Sequence, residues 1–249
     1  MIKVRPVRSL FHAEGGWFSA NWHFSFDRYW DAEYTGFGTL RVFNDDRLVP
    51  GAVWPMHPHR DVEGITYVAE GTFEHADSLG NGGVLPPGAV QRMTLGSGAL
   101  HSERNHSKTE PLRFIQLWIV PARRGLEPGV EQRSFSAEER RNTLRPVLVP
   151  APGYGGPGAP VADGAVQVRQ DAALFAGLLE AGVSATRRIR PGFGGYLFVV
   201  HGDARVSAPG DAGGALEEGA AAMLAGEPEV TVRAGERGAE ILLVEVRVS

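Results

Sequence analysis

The chain has 249 residues and a net charge of −4, so it can bury a sizeable core as one large β domain or as two of about 125 residues each, and composition does not decide between them. With no cluster of Lys or Arg there is no basic field for DNA or RNA, and no direct nucleic acid binding is expected. The absence of cysteine excludes disulfides, thiolate-bound metals and zinc fingers, leaving His and carboxylates to hold any metal.

Glycine (33 residues) and proline (17) punctuate short runs of Val, Leu, Phe and Tyr, the pattern of many short strands joined by turns. Arg5, Arg8, His12 and Glu14 interrupt the first sixteen residues, and no later run reaches membrane-spanning length. A cytoplasmic location without membrane insertion is therefore expected. Trp17, Trp22, Phe24, Phe26, Tyr29 and Trp30 make the next stretch aromatic-rich, with packing in a core or between domains as its expected role.

His57-Pro58-His59 then places two imidazoles two residues apart, and His101-Ser102-Glu103 places an imidazole and a carboxylate at the same spacing. Residues i and i+2 of a β-strand share a face. Two such pairs facing one another make a pocket of three imidazoles and one carboxylate, which suits a first-row divalent metal and leaves positions open for chemistry. Gln91, Met93 and Gln116 are expected to line the pocket beside it, whereas His12, His23 and His106 have no partner at ligand spacing and are expected at the surface or in packing.

Further on, Phe135-Ser136-Ala137-Glu138-Glu139 carries a capping box with Phe135 as a staple, predicting a short helix to about Leu144. Pro146, Pro150, Pro152 and the Gly/Pro-rich stretch from Gly153 to Pro160 read as a connecting loop. The two sides of this loop are related. Val68-Ala69-Glu70-Gly71 leads to Gly88 as Val199-Val200-His201-Gly202 leads to Gly219, with the same glycine spacing and an offset of 131 residues, which predicts a duplicated β domain.

Gly51-x5-His57-x-His59-x3-Glu63, followed by Gly71 and by Gly80-x5-Pro86-x-Gly88, resembles the two-part signature of the cupin superfamily. Within it, His57-Pro58-His59-Arg60-Asp61-x-Glu63, Tyr67-Val68-x-Glu70-Gly71-x3-His75-x-Asp77-Ser78 and Gly96-x-Gly98-x2-His101-Ser102-Glu103 resemble the pirin family of two-cupin proteins, most closely the bacterial members with quercetin dioxygenase activity. Phe24-Ser25-Phe26 and Leu40-Arg41-Val42-x-Asn44-Asp45-Asp46 add to this similarity. After Arg133 only the domain pattern and Val168-x-Gln170-Asp171 carry it. The usual second-motif histidine of cupins falls at Gln91, a departure that pirins share.

The resemblance implies an all-β fold of two tandem cupin barrels, residues 1–134 holding the metal and residues 135–249 lacking ligands. It implies His57, His59, His101 and Glu103 as the metal ligands, the same four groups that strand alternation selects. It makes Glu63 a hydrogen-bonding support for one of the imidazoles. His75 and Asp77, which follow the turn glycine Gly71, are expected as a hydrogen-bonding pair away from the barrel mouth. The offset of 131 maps the ligands to Arg188, Arg190, Val232 and Ala234, none of which binds a cation. The implied activity is oxygenolytic opening of the heterocyclic ring of a flavonol such as quercetin, with loss of carbon monoxide and with Glu103 taking the flavonol proton. Iron(II) is the first-choice metal; nickel, cobalt, manganese, copper and zinc also suit the ligand set. The rival expectation is a metal-responsive regulatory protein that docks a protein partner.

Overall fold

The structure, a computed structural model, describes residues 1–248. It is almost entirely β, with two barrels in sequence. In the first, a seven-stranded sheet runs in the order Gly129–Ser134, Ala89–Thr94, Glu63–Glu70, Leu112–Ile119, Leu40–Leu48, Phe18–Trp22, Phe11–Glu14. A four-stranded sheet, Val53–His59, Ala99–Asn105, Phe73–Asp77, Gly82–Leu85, faces it. Leu48, Val68, Phe73, Leu85, Leu112 and Phe114 fill part of the space between them.

The second barrel is one nine-stranded sheet, organised by the long antiparallel pair Phe193–Ala208 and Glu229–Arg247. Register shifts at Val199/His201 and Gly202/Ala204 bend this pair, so that each strand serves two sides of the barrel. The first strand, Ile2–Arg5, pairs with Ala221–Ala225 and extends this sheet. It thus lies across the division expected between residues 134 and 135, which falls between Gly129–Ser134 and the helical turn Ala137–Arg140.

The duplicated glycines occupy matching conformations. Gly71, Gly88, Gly202 and Gly219 have φ of 76, 81, 80 and 81°, a region closed to most side chains. A Cβ at Gly71 would sit 2.3 Å from the Pro111 carbonyl oxygen, and one at Gly202 would sit 2.1 Å from that of Gly238. The offset does not hold over the whole repeat, however. Asn105 pairs with Phe73 as Ala234 pairs with Ala204, because the stretch from the second glycine turn is shorter in the second barrel. His101 and Glu103 therefore correspond to Val230 and Val232, and His57 and His59 to Arg187 and Ile189, instead of the positions given by a constant 131. Val230, Val232 and Ile189 belong to the second barrel's apolar core.

The largest core cluster lies between the barrels, where Phe24, Phe43, Tyr67 and Ile115 meet Tyr196, Phe198 and Val244. Each such buried side chain contributes about 1.5–3 kcal/mol. An ionic link supplements it. Arg113, fully buried, donates to both oxygens of Asp45 at 2.8 and 2.9 Å and to the Val200 carbonyl at 2.7 Å across the interface.

The expected helix is a single turn, Ala137–Arg140, with both capping-box bonds in place. It stops short of Leu144 because Arg140 turns inward to Tyr67 and Glu240, after which Arg141 is extended and Asn142 has a φ of 53°. Phe135 joins the central core, since the position it would staple is Arg140.

Candidate metal centre

The two metal-capable triplets lie on adjacent antiparallel strands, with His101 opposite His57 and Ala99 opposite His59. Alternation points all three imidazoles into the barrel. Their ring centroids are 4.4 Å apart for His57 and His101, 4.7 Å for His57 and His59, and 5.1 Å for His59 and His101. One nitrogen from each lies within 4.8 Å of the others.

His57 Nδ1 donates to the Pro55 carbonyl at 2.8 Å, which holds that proton and leaves Nε2 free. Both ring nitrogens of His101 are buried and have no hydrogen-bond partner. Burial, reinforced by His57 and His59, pushes the pKa of His101 down to about 3, and burial with His57 pushes that of His59 down to about 4. The site thus presents neutral imidazole lone pairs to one point and leaves a buried ring unsatisfied, as a cation would require.

Glu103 follows on the same strand, beyond a register shift that sets it opposite Trp54. Burial pushes its pKa up to about 7, opposed in part by Gln116, whose Nε2 donates to Glu103 Oε1 at 2.5 Å. Thr66 Oγ1 in turn donates to Gln116 Oε1 at 3.3 Å, so the amide that orients Glu103 is itself held. Nearby Asp46 is held well above the usual carboxylate range, chiefly by burial and further by Glu103 and Asp45.

These groups open onto a cavity of about 340 Å³ walled by Phe18, Trp22, Phe26, Trp54, Phe114 and Trp118. That volume lies within the range of small-molecule sites. Trp118 stands against His59 at 4.6 Å between centroids. Trp22 and Phe26 are therefore cavity walls where packing alone was expected. Phe24 takes the interdomain role, and Trp30 is exposed. Gln116 lines the cavity, but Gln91 and Met93 do not. Their strand, Ala89–Thr94, lies on the far side of the sheet beside Gly129–Ser134, where Gln91 bonds Gln132 and Met93 packs on Leu95 and Ala99.

Glu63 does not support an imidazole. It accepts from Thr94 Oγ1 at 3.1 Å and from the Arg169 backbone N–H at 3.2 Å, and so anchors a loop of the second barrel. His75 donates to Gln132 at 2.8 Å, while Asp77 accepts from the backbone N–H groups of Leu79 and Asn81, so the two do not bond one another. His12 and His106 make surface contacts to Asn21 and Glu74, and His23 is buried against the Tyr196 hydroxyl at 2.7 Å. Asn44, Asp46, Trp54 and Trp118 were not among the expected site residues. The one available signal was the polar run Asn44-Asp45-Asp46, buried at the centre of its strand.

Residues 3–119 match the Pirin family model, and residues 159–246 match the model described as the quercetinase C-terminal cupin domain. A relative from Pseudomonas aeruginosa, provisionally named a quercetin 2,3-dioxygenase, is 39% identical over 246 residues, spanning 99% of this chain and 100% of that one. The quercetin 2,3-dioxygenase of Escherichia coli K12 is 42% identical over 176 residues, 70% of this chain and 71% of that one. The crystal structure of the bacterial pirin YhhW from Escherichia coli in complex with nickel(II) aligns with a TM-score of 0.88 at 33% identity, covering 100% of both chains. No helix among the described residues is long and apolar enough to cross a membrane. With its two tandem cupin barrels and its cluster of three imidazoles, the chain belongs to the pirin family.

Proposed function

We propose that this pirin is a metal-dependent dioxygenase that opens the heterocyclic ring of flavonols such as quercetin and releases carbon monoxide. The observation that carries the reading is the convergence of His57, His59 and His101, with His101 left unsatisfied, at the wall of an aromatic cavity. The three imidazoles would hold one divalent first-row ion, with Glu103 as a fourth ligand. Iron(II) is the first choice, and nickel, cobalt, manganese, copper or zinc also fit these donors; the nickel complex of the YhhW relative supports a site of this kind. When bound, the ion supplies Lewis acidity toward the flavonol 3-hydroxyl and open positions for substrate and dioxygen.

The chain's own residues do the rest. Flat aromatic walls stack on a planar ligand and exclude water from it. Glu103, buried and aimed by Gln116, is placed to accept the hydroxyl proton. An open cavity of this size and lining favours a small-molecule substrate over a regulatory role in which the site serves only as a switch.

The test is metal analysis followed by aerobic assay against a flavonol panel, in protein reconstituted separately with iron, manganese, cobalt, nickel, copper and zinc. Flavonol loss matched by dioxygen uptake and carbon monoxide release is the expected result. Neither product nor substrate loss with any of these metals would refute the dioxygenase reading and favour the regulatory one.

A further inference from the structure

We propose that Asn44 and Asp46 form a hydroxyl-reading strip in the cavity, selecting planar aromatic ligands that carry a ring hydroxyl in addition to the pair that chelates the metal. The inference rests on the flavonol reading and narrows it.

Both residues sit mid-strand in Leu40–Leu48, within the seven-stranded sheet. Asn44, Asp45 and Asp46 are 3, 1 and 5% exposed, an unusual polar run for a strand centre. Asp45 is accounted for: it takes both arms of Arg113 on the face toward the second barrel. Asn44 and Asp46 share the opposite face and line the cavity, Asn44 beside Gln116 and Asp46 beside Phe114 on the neighbouring strand.

Neither is satisfied by the protein. Asn44 Oδ1 is buried with no partner, and among the described residues no group donates to the Asp46 carboxyl. Buried polar groups are almost always paired, so the orphaned Asn44 Oδ1, with the Asp46 carboxyl beside it on the cavity wall, is costly unless something entering the cavity completes it. Much of the remaining wall is aromatic, and of the lining polar groups Asn44 Oδ1 is the buried acceptor left without a partner on this strand, so the strip is a place where the edge of a flat ligand meets hydrogen-bonding groups. Asn44 offers an amide, and Asp46 a carboxyl. A phenolic hydroxyl at this edge donates to Asn44 Oδ1 or to the Asp46 carboxyl, whereas an unsubstituted ring edge leaves Oδ1 unpaired.

The experiment is anaerobic titration of the metal-loaded full chain with 3-hydroxyflavone, which carries only the chelating pair, and with galangin and quercetin, which carry further ring hydroxyls. Binding is read from quenching of tryptophan fluorescence, since Trp22, Trp54 and Trp118 line the cavity. The quantity compared is the ratio of affinities. Wild-type protein is expected to favour a hydroxylated flavonol over 3-hydroxyflavone by about tenfold or more, the effect of a hydrogen bond to a buried ionisable group. Asp46→Leu and Asn44→Leu should bring the ratio close to one at unchanged metal content, and Asp46→Asn, which keeps hydrogen-bonding capacity, should restore part of it.

Equal affinities in the wild type overturn the inference whatever the variants do, as does a preference that survives in Asp46→Leu and Asn44→Leu. Failure of 3-hydroxyflavone itself to bind the metal-loaded protein, together with the other two, would refute the flavonol reading and this inference with it.

Discussion

Replacing Glu103 by Gln separates the two jobs assigned to that residue. Gln116 Nε2 donates to Glu103 Oε1 at 2.5 Å, and an amide oxygen at the same place can accept that bond, so the substitution preserves shape and packing. It removes the ability to take a proton, which the wild-type carboxylate has and an amide lacks. Losing a general base costs about 10²- to 10⁴-fold in rate, or roughly 2.7–5.5 kcal/mol of barrier at 1.36 kcal/mol per decade. The three imidazoles remain, and a three-histidine set can by itself hold a catalytic metal, so the variant keeps a site to be loaded. The assay is turnover per bound ion, with metal content, dioxygen uptake and carbon monoxide release measured on the same samples. The expected result is a fall of at least about a hundredfold in that ratio. A variant whose rate falls only in proportion to its lost metal would refute the assignment of Glu103 as proton acceptor and leave it a ligand alone.

The metal site and the interdomain histidine give two further tests. His101→Ala should abolish the binding of one equivalent of divalent metal per chain while leaving the circular dichroism of the fold intact, and full metal occupancy in that variant would show the ligand assignment to be wrong. His23 is fully buried, with its pKa pushed down to about 3 by burial and by Arg5, so the unfolded chain takes up a proton below about pH 6.5 that the native state refuses. The stability that neutral His23 contributes is therefore present above pH 6.5 and lost as pH falls from there toward 3. In metal-free protein, His23→Gln should gain on the wild type by about 1.4 kcal/mol per pH unit across that window, measured by urea unfolding. A stability difference that does not change with pH contradicts this.

Strand alternation, turn glycines and the spacing of His57, His59 and His101 are local properties, which is why the barrel repeat and the three converging imidazoles could be read along the chain. Where the reading failed, the deciding contact was distant in sequence. Glu63 lies four residues from His59, but the turn at Asp61, with a φ of 53°, starts a new strand, and Glu63 is carried to Thr94 and Arg169. A constant offset misaligned the second barrel's counterparts because a shorter connection shifts strand pairing there, which only the register reveals.

The same holds for the cavity. Trp54 and Trp118 have the signature of core residues, and Asn44 and Asp46 that of a flawed strand, until the Leu40–Leu48 and Leu112–Ile119 strands are laid beside Val53–His59 and Ala99–Asn105. Sequence alone determined which side chains can bind a metal and that they share one face, because both follow from residue chemistry and the two-residue repeat of a strand. Only the closing of two sheets against each other decided which aromatic and polar groups stand around that metal position, because those contacts join residues far apart in the chain and no local period encodes them.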